Sequence, residues 1–128
     1  MEEEERIIKR ITPEYNEFMR KVYARFRGHC CLTRIKGQGE THLHHLYSFI
    51  NNRDLIYEVT NAIILKTELH YLFHSEFGFG NNTSQQMLKF IKNYKSRKYN
   101  DKLSKYLQPQ KNNYDEIINF VENSIQLK

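Results

Sequence analysis

The sequence predicts an α+β fold, with a short extended segment and a histidine-bearing helix at its centre and further helices before and after. Three observations predict it. Residues 41–46, Thr-His-Leu-His-His-Leu, read as a strand, in which neighbouring side chains point to opposite faces. Around residues 67–74, Leu69, Leu72 and Phe73 recur at helical intervals and carry His70 and His74 four apart, hence on one face. Apolar stripes of the same period occupy both flanks. A chain of 128 residues is large enough for one modest core and too small for two, so residues 1–28 (helical lead), 29–78 (central unit) and 79–128 (helical extension) belong to one domain.

The lead helix starts at Thr12-Pro13-Glu14, with a capping hydroxyl, proline at the first helical position and an acid near the positive end of the dipole. Tyr15, Phe18, Met19, Val22, Tyr23 and Phe26 then keep helical spacing until Gly28 ends it, a stripe read as core packing. Its polar side carries Arg20, Lys21, Arg25 and Arg27. Residues 29–39, with Gly37 and Gly39, form a turn into the strand, and 47–60 form a loop long enough to be functional. Beyond the histidine helix, Asn81-Asn82-Thr83-Ser84 caps a helix running through Met87, Leu88, Phe90, Ile91 and Tyr94. Residues 96–112, rich in Lys and Asn and containing Pro109, read as a mobile or irregular linker with a short helical piece. A last helix opens at Asn113, with Asp115 and Glu116 in its first turn and Ile117, Ile118, Phe120, Val121 and Ile125 as its apolar face.

Charge narrows the partner. The net charge is +5, and Glu2 to Glu5 supply four of the 15 acids, so the remainder is more basic than the total. Residues 18–39 hold six basic residues and no acid; residues 89–111 hold eight and one, interleaved with Tyr94, Tyr99 and Tyr106. A run of charge alone is most simply a solvated face. Basic clusters of this kind also suit a phosphate backbone, for which Arg20, Lys21, Arg25, Arg27, Lys89, Lys92, Lys95, Arg97 and Lys98 are the candidate contacts. The acidic start lacks the pattern of a signal peptide, and no run approaches the roughly 20 apolar residues of a membrane span. The expectation is an intracellular protein with reduced, adjacent cysteines at 30 and 31, neither secreted nor membrane-bound.

Histidine carries the chemistry. His44 and His45 end the strand, and because strand neighbours diverge only one of them joins His70 and His74 around an ion with ease, which leaves the other for proton transfer. Imidazoles suit Zn²⁺, Ni²⁺ or Mn²⁺ better than Mg²⁺. Each residue also has a plainer reading. Asn61 taken alone is a turn residue, His42 is surface or structural, and His29 is structural or a phosphate contact.

Taken together, Leu43-His44-His45-Leu46, Asn61-Ala62-Ile63-Ile64-Leu65 and Leu69-His70 with Phe73-His74 resemble the HNH, or ββα-metal, endonucleases. The resemblance covers roughly residues 29–92, and the segment 77–83, Phe-Gly-Phe-Gly-Asn-Asn-Thr, is similar to the continuation in phage and organelle members. It implies a second strand opened by Asn61 and hence a small ββα-metal hairpin-plus-helix unit flanked by helices at both ends. It further implies that His44, His70 and His74 hold one divalent ion (Zn, Mn, Ni or Mg), that His45 is the general base, and that Asn61 holds the loop positioning it. Many members carry two Cys-x-x-Cys pairs for a structural zinc. Here the corresponding residues are Cys30-Cys31-Leu32-Thr33 and Lys66-Thr67-Glu68-Leu69, so no structural zinc is expected. Ala62 and Arg34 stand where glycine is common in the family.

The function implied is hydrolysis of double-stranded DNA to 5′-phosphate and 3′-hydroxyl ends by a phage-encoded or homing-type enzyme, acting as monomer or homodimer. The alternatives are a DNA-binding or regulatory module that keeps this fold but no longer cuts, and a non-specific or RNA-active nuclease.

Overall fold

The computed structural model describes residues 12–35, 40–110 and 113–128. The Glu2 to Glu5 run, the Gly37 and Gly39 turn and Lys111 lie outside the described residues. Among those described are four α-helices and one two-stranded antiparallel sheet, in the order α1 (Pro13–Arg25), β1 (Thr41–His45), β2 (Ala62–Lys66), α2 (Thr67–Phe77), α3 (Ser84–Lys95) and α4 (Asp115–Ser124). The α+β class is that expected from the sequence. No described helix is long and apolar enough to cross a membrane.

The register explains how the sheet is covered. Leu43 pairs with Ile64 and His45 with Ala62, alternating with His44 opposite Ile63 and His42 opposite Leu65. Side chains therefore sort onto two faces. Leu43, Ala62 and Ile64 pack with Tyr15, Phe18 and Val22 of α1. Ile63 and Leu65 pack with Leu69 and Phe73 of α2, Met87, Phe90 and Ile91 of α3, and Ile117 and Val121 of α4. Every residue of β2 is buried, as an apolar run enclosed on both faces should be.

Helix α1 begins with Pro13 at its first position, but the Thr12 hydroxyl makes no capping bond. It ends at Arg25, slightly before Gly28. Arg27 (φ 55°) and Gly28 (φ 74°) reverse the chain in the left-handed region, with the Gly28 N–H donating to Tyr23 O at 2.8 Å. Helix α3 is capped by Thr83, whose hydroxyl accepts from the Gln86 N–H while the Gln86 side chain returns to the Thr83 N–H. Asn113 accepts from the Asp115 N–H at 2.9 Å and so opens α4.

Two expected loops prove to be packed. Residues 46–61 contain short 3₁₀ turns at Arg53–Leu55 and Val59–Asn61, so Asn61 closes a turn rather than opening the strand. Residues 96–110 are irregular as expected, with 3₁₀ turns at Asn100–Lys102 and Lys105–Leu107, yet Tyr99, Leu103 and Leu107 are buried and Tyr94 Oη donates to Leu107 O at 2.6 Å. Ser104 donates from its N–H and hydroxyl to the Glu68 carboxylate at 3.1 Å, and Tyr99 Oη donates to Glu76. The segment braces α2 from behind.

Candidate metal centre

Sheet register and helix period bring three imidazoles together. His44 projects from the α2-facing side of β1, and His70 and His74 project one turn apart from α2. His70 Nε2 lies 3.2 Å from His44 Nδ1 and 3.0 Å from His74 Nε2, and one ligand nitrogen from each ring lies within 4.8 Å of the others. Two nitrogens bound tetrahedrally to zinc at about 2.0–2.1 Å stand roughly 3.3 Å apart, so the observed separations fit a first-row divalent ion. The donor set fits as well. Burial holds the His44 ring well below the usual imidazole pKa, reinforced by His70 and His74, so it is neutral and its lone pair is available. Phe73 packs edge-on against His44 with centroids 4.9 Å apart. His44 Nε2 is buried without a hydrogen-bond partner.

His74 is oriented by the end of its own helix. Gly78, at φ 77°, turns the chain back so that its carbonyl accepts from His74 Nδ1–H at 2.9 Å, which leaves Nε2 as the lone-pair nitrogen. Phe79 stacks on the same ring, with centroids 4.2 Å apart and planes inclined by 11°.

His45 faces the other side of β1. It is buried, stacks on Phe18 of α1 and lies against Phe49, and its Nε2–H donates to Ile56 O at 3.0 Å. That bond assigns the hydrogen to Nε2 and the lone pair to Nδ1. Although the two rings diverge, His44 and His45 both border one small cleft of about 70 Å³, lined also by Ser48, Phe49, His70, His74, Phe79 and Asn82. Asn61 does not line the cleft but bonds to the residues that follow His45. Fully buried, it accepts from the Tyr47 N–H at 2.9 Å, donates to Tyr47 O at 3.0 Å, and accepts from the Leu46 N–H through its own carbonyl at 2.7 Å. The two residues following His45 are thereby clamped.

The basic residues do not line this cleft. Arg20, Lys21, Arg25 and Arg27 are exposed on α1 and the turn after it, with Arg20 paired to Glu17 and the Arg25 guanidinium 4.6 Å from the Phe120 ring centre. Lys89, Lys92 and Lys95 are exposed on α3, and Arg97 and Lys98 in the turn that follows. Arg25 and Arg27 border a second cavity of about 550 Å³ together with Arg34, His29, Glu116 and Asn119. The α3 lysines are not part of it.

Cys30 and Cys31 are free and buried in the core. Burial, with Cys30 beside it, pushes the Cys31 thiol well up, which keeps it protonated.

From its place in the sequence, His42 has only a surface or structural role. In the structure its Nδ1 lies 2.9 Å from His70 Nδ1. The available signal was its position two residues before His44, on the same strand face. The roles of Phe18, Phe49 and Phe79 around the histidines had no comparable signal, since each contact joins distant or irregular segments.

The chain matches no protein family, no curated protein and no solved structure.

Proposed function

We propose that this chain is a metal-dependent DNA endonuclease of the HNH, or ββα-metal, type. The observation that carries the reading is the convergence of His44, His70 and His74, with His45 presented from the adjacent strand position onto the same cleft. Four imidazoles at one cleft are an expensive arrangement for a structural role, because buried polar rings need partners that an apolar core would not. Hydrolysis of a phosphodiester uses each of them.

His44, His70 and His74 would hold a divalent ion, Zn²⁺, Mn²⁺ or Ni²⁺ being best matched to neutral imidazole. When bound, such an ion neutralises charge on the scissile phosphate and stabilises the leaving 3′ oxygen. His45 accepts a proton from the attacking water at Nδ1, while its Nε2–H stays on Ile56 O and stabilises the imidazolium that results. Phe18 and Phe49 hold the ring plane. Asn61 acts through the Tyr47 backbone and fixes where β1 ends. In-line attack leaves a 5′-phosphate and a 3′-hydroxyl.

Double-stranded DNA is the substrate that the exposed basic residues of α1, α3 and the turn after α3 best complement. The deciding experiment is supercoiled-plasmid cleavage with metal-stripped protein, with and without added Mn²⁺, Ni²⁺ or Zn²⁺. Metal-dependent nicking or linearisation that vanishes in His45→Ala is the expected result. Metal-loaded protein that binds the plasmid without cutting it would refute an endonuclease.

A further inference from the structure

We infer that His42 is a positioning residue for the candidate metal centre, holding the His70 ring in the tautomer and orientation that present Nε2 to the ion. This inference rests on the metal-site reading above.

The 2.9 Å approach between His42 Nδ1 and His70 Nδ1 needs one hydrogen between two nitrogens. His70 Nε2 faces ring nitrogens of both His44 and His74, so it bears the lone pair whenever the three rings hold a cation. The single ring hydrogen of neutral His70 then sits on Nδ1 and is donated to His42 Nδ1. His42 must accordingly carry its own hydrogen on Nε2. The relation parallels that of His74, whose Nδ1–H is held by the Gly78 carbonyl. Metal-binding histidines ordinarily hold the second ring N–H on an acceptor of this kind, which fixes the ring and raises the basicity of the ligating nitrogen.

The fold makes His42 suitable. It lies one strand period from His44, opposite Leu65 in the register, and the rings of His42 and His70 meet nearly at right angles with centroids 5.1 Å apart. Tyr71 packs edge-on against His42 at 5.8 Å. The acceptor is thus carried by the same rigid strand that supplies one ligand, and directed at a second ligand on α2.

The test compares His42→Phe, which removes the acceptor, with His42→Asn, whose Oδ1 occupies nearly the place of Nδ1 and accepts the same hydrogen. Co²⁺ affinity is measured by chelator competition, alongside the visible Co²⁺ spectrum and the melting temperature of metal-free protein. His42→Phe should bind Co²⁺ about 10–100-fold more weakly with an altered spectrum, while His42→Asn recovers most of the affinity. In Zn²⁺-loaded unsubstituted protein, ¹⁵N NMR should find His70 protonated at Nδ1 and His42 protonated at Nε2. A His42→Phe affinity within about threefold of the unsubstituted chain, well under the range for such partners, would overturn the inference. So would a Zn²⁺-loaded His70 without a hydrogen on Nδ1, a readout that requires no variant to fold. Failure of the unsubstituted chain to bind Co²⁺ or Zn²⁺ would instead remove the metal site itself, and His42's role with it.

Discussion

The ring of His45 lies flat on Phe18, with centroids 5.5 Å apart and planes inclined by only 14°. The proposed general base is therefore held by a helix remote in sequence as well as by its own strand. Phe18→Leu keeps an apolar residue under the ring but removes the flat aromatic face. It should lower stability by about 1–3 kcal/mol, as partial truncation in a core does, and lower the cleavage rate further than folding alone explains. Melting curves and single-turnover cleavage below the melting transition separate the two effects. A stable variant with unchanged turnover would make Phe18 purely a packing residue.

The division of labour between the adjacent histidines is open to calorimetry. His70→Ala and His74→Ala should weaken metal binding and cleavage together. His45→Ala should still bind the ion and fall about 10²–10⁴-fold in rate, the usual contribution of a positioned base. Loss of the ion from His45→Ala, with retention in His44→Ala, would exchange the two roles.

Asn61 grips Tyr47 from both sides, donating to its carbonyl and accepting from its N–H. Asn61→Asp preserves the acceptor but directs a second oxygen at the Tyr47 carbonyl in a fully buried place. We expect about 1–3 kcal/mol of destabilisation from the unpaired groups, and a turnover defect larger than the defect in DNA affinity, because the amide acts on His45 through the backbone. Binding isotherms and cleavage rates on one duplex decide it. Equal defects in both would indicate that Asn61 touches substrate.

Much of this site was legible because the governing periods are short. The four-residue interval between His70 and His74 and the one-residue interval between His44 and His45 specify one shared face and one divergence whatever the rest of the chain does. The outer helices were legible for the same reason, and their limits shifted by only a few residues. Segment 96–110 was harder. Tyr99, Leu103 and Leu107 are four apart, yet they accompany two 3₁₀ turns, and the segment is pinned through Ser104 to Glu68 and through Tyr99 to Glu76 of α2, pairings for which the sequence offers no reason. His42 differs, because its strand period from His44 places it on the face that meets α2 although its partner lies 28 residues away.

Metal-free stability should depend on pH through His44. Its folded-state pKa lies well below the ordinary imidazole value because of burial first and the neighbouring His70 and His74 second. The unfolded chain therefore takes up the proton more readily. Stability is fully present above about pH 6.5, the unfolded value, and declines as pH falls from there through the depressed folded value, where the decline is complete. Chemical denaturation in chelator across this window should show it, and His44→Phe should flatten it. A decline of equal size in His44→Phe would assign the effect to other groups.

DNA binding is best tested on the residues that follow the middle of α3. Lys92, Lys95, Arg97 and Lys98 are all exposed, while the aromatic residues beside them, Tyr94 and Tyr99, are buried and keep the segment in place. Replacing the four basic residues with glutamine should consequently leave the melting temperature nearly unchanged. DNA affinity should fall on all sequences alike, since phosphate contacts carry no base information, and the dependence of log affinity on log salt should flatten by about 0.9 for each phosphate that is no longer neutralised. A parallel variant neutralising Arg27 and Arg34 asks the same of the 550 Å³ cavity between the end of α1 and α4. The slope locates the DNA path: flattening in the first variant alone puts the duplex along α3, flattening in the second alone puts it across the arginine-lined cavity, and an unchanged slope in both leaves these basic residues as solvated surface.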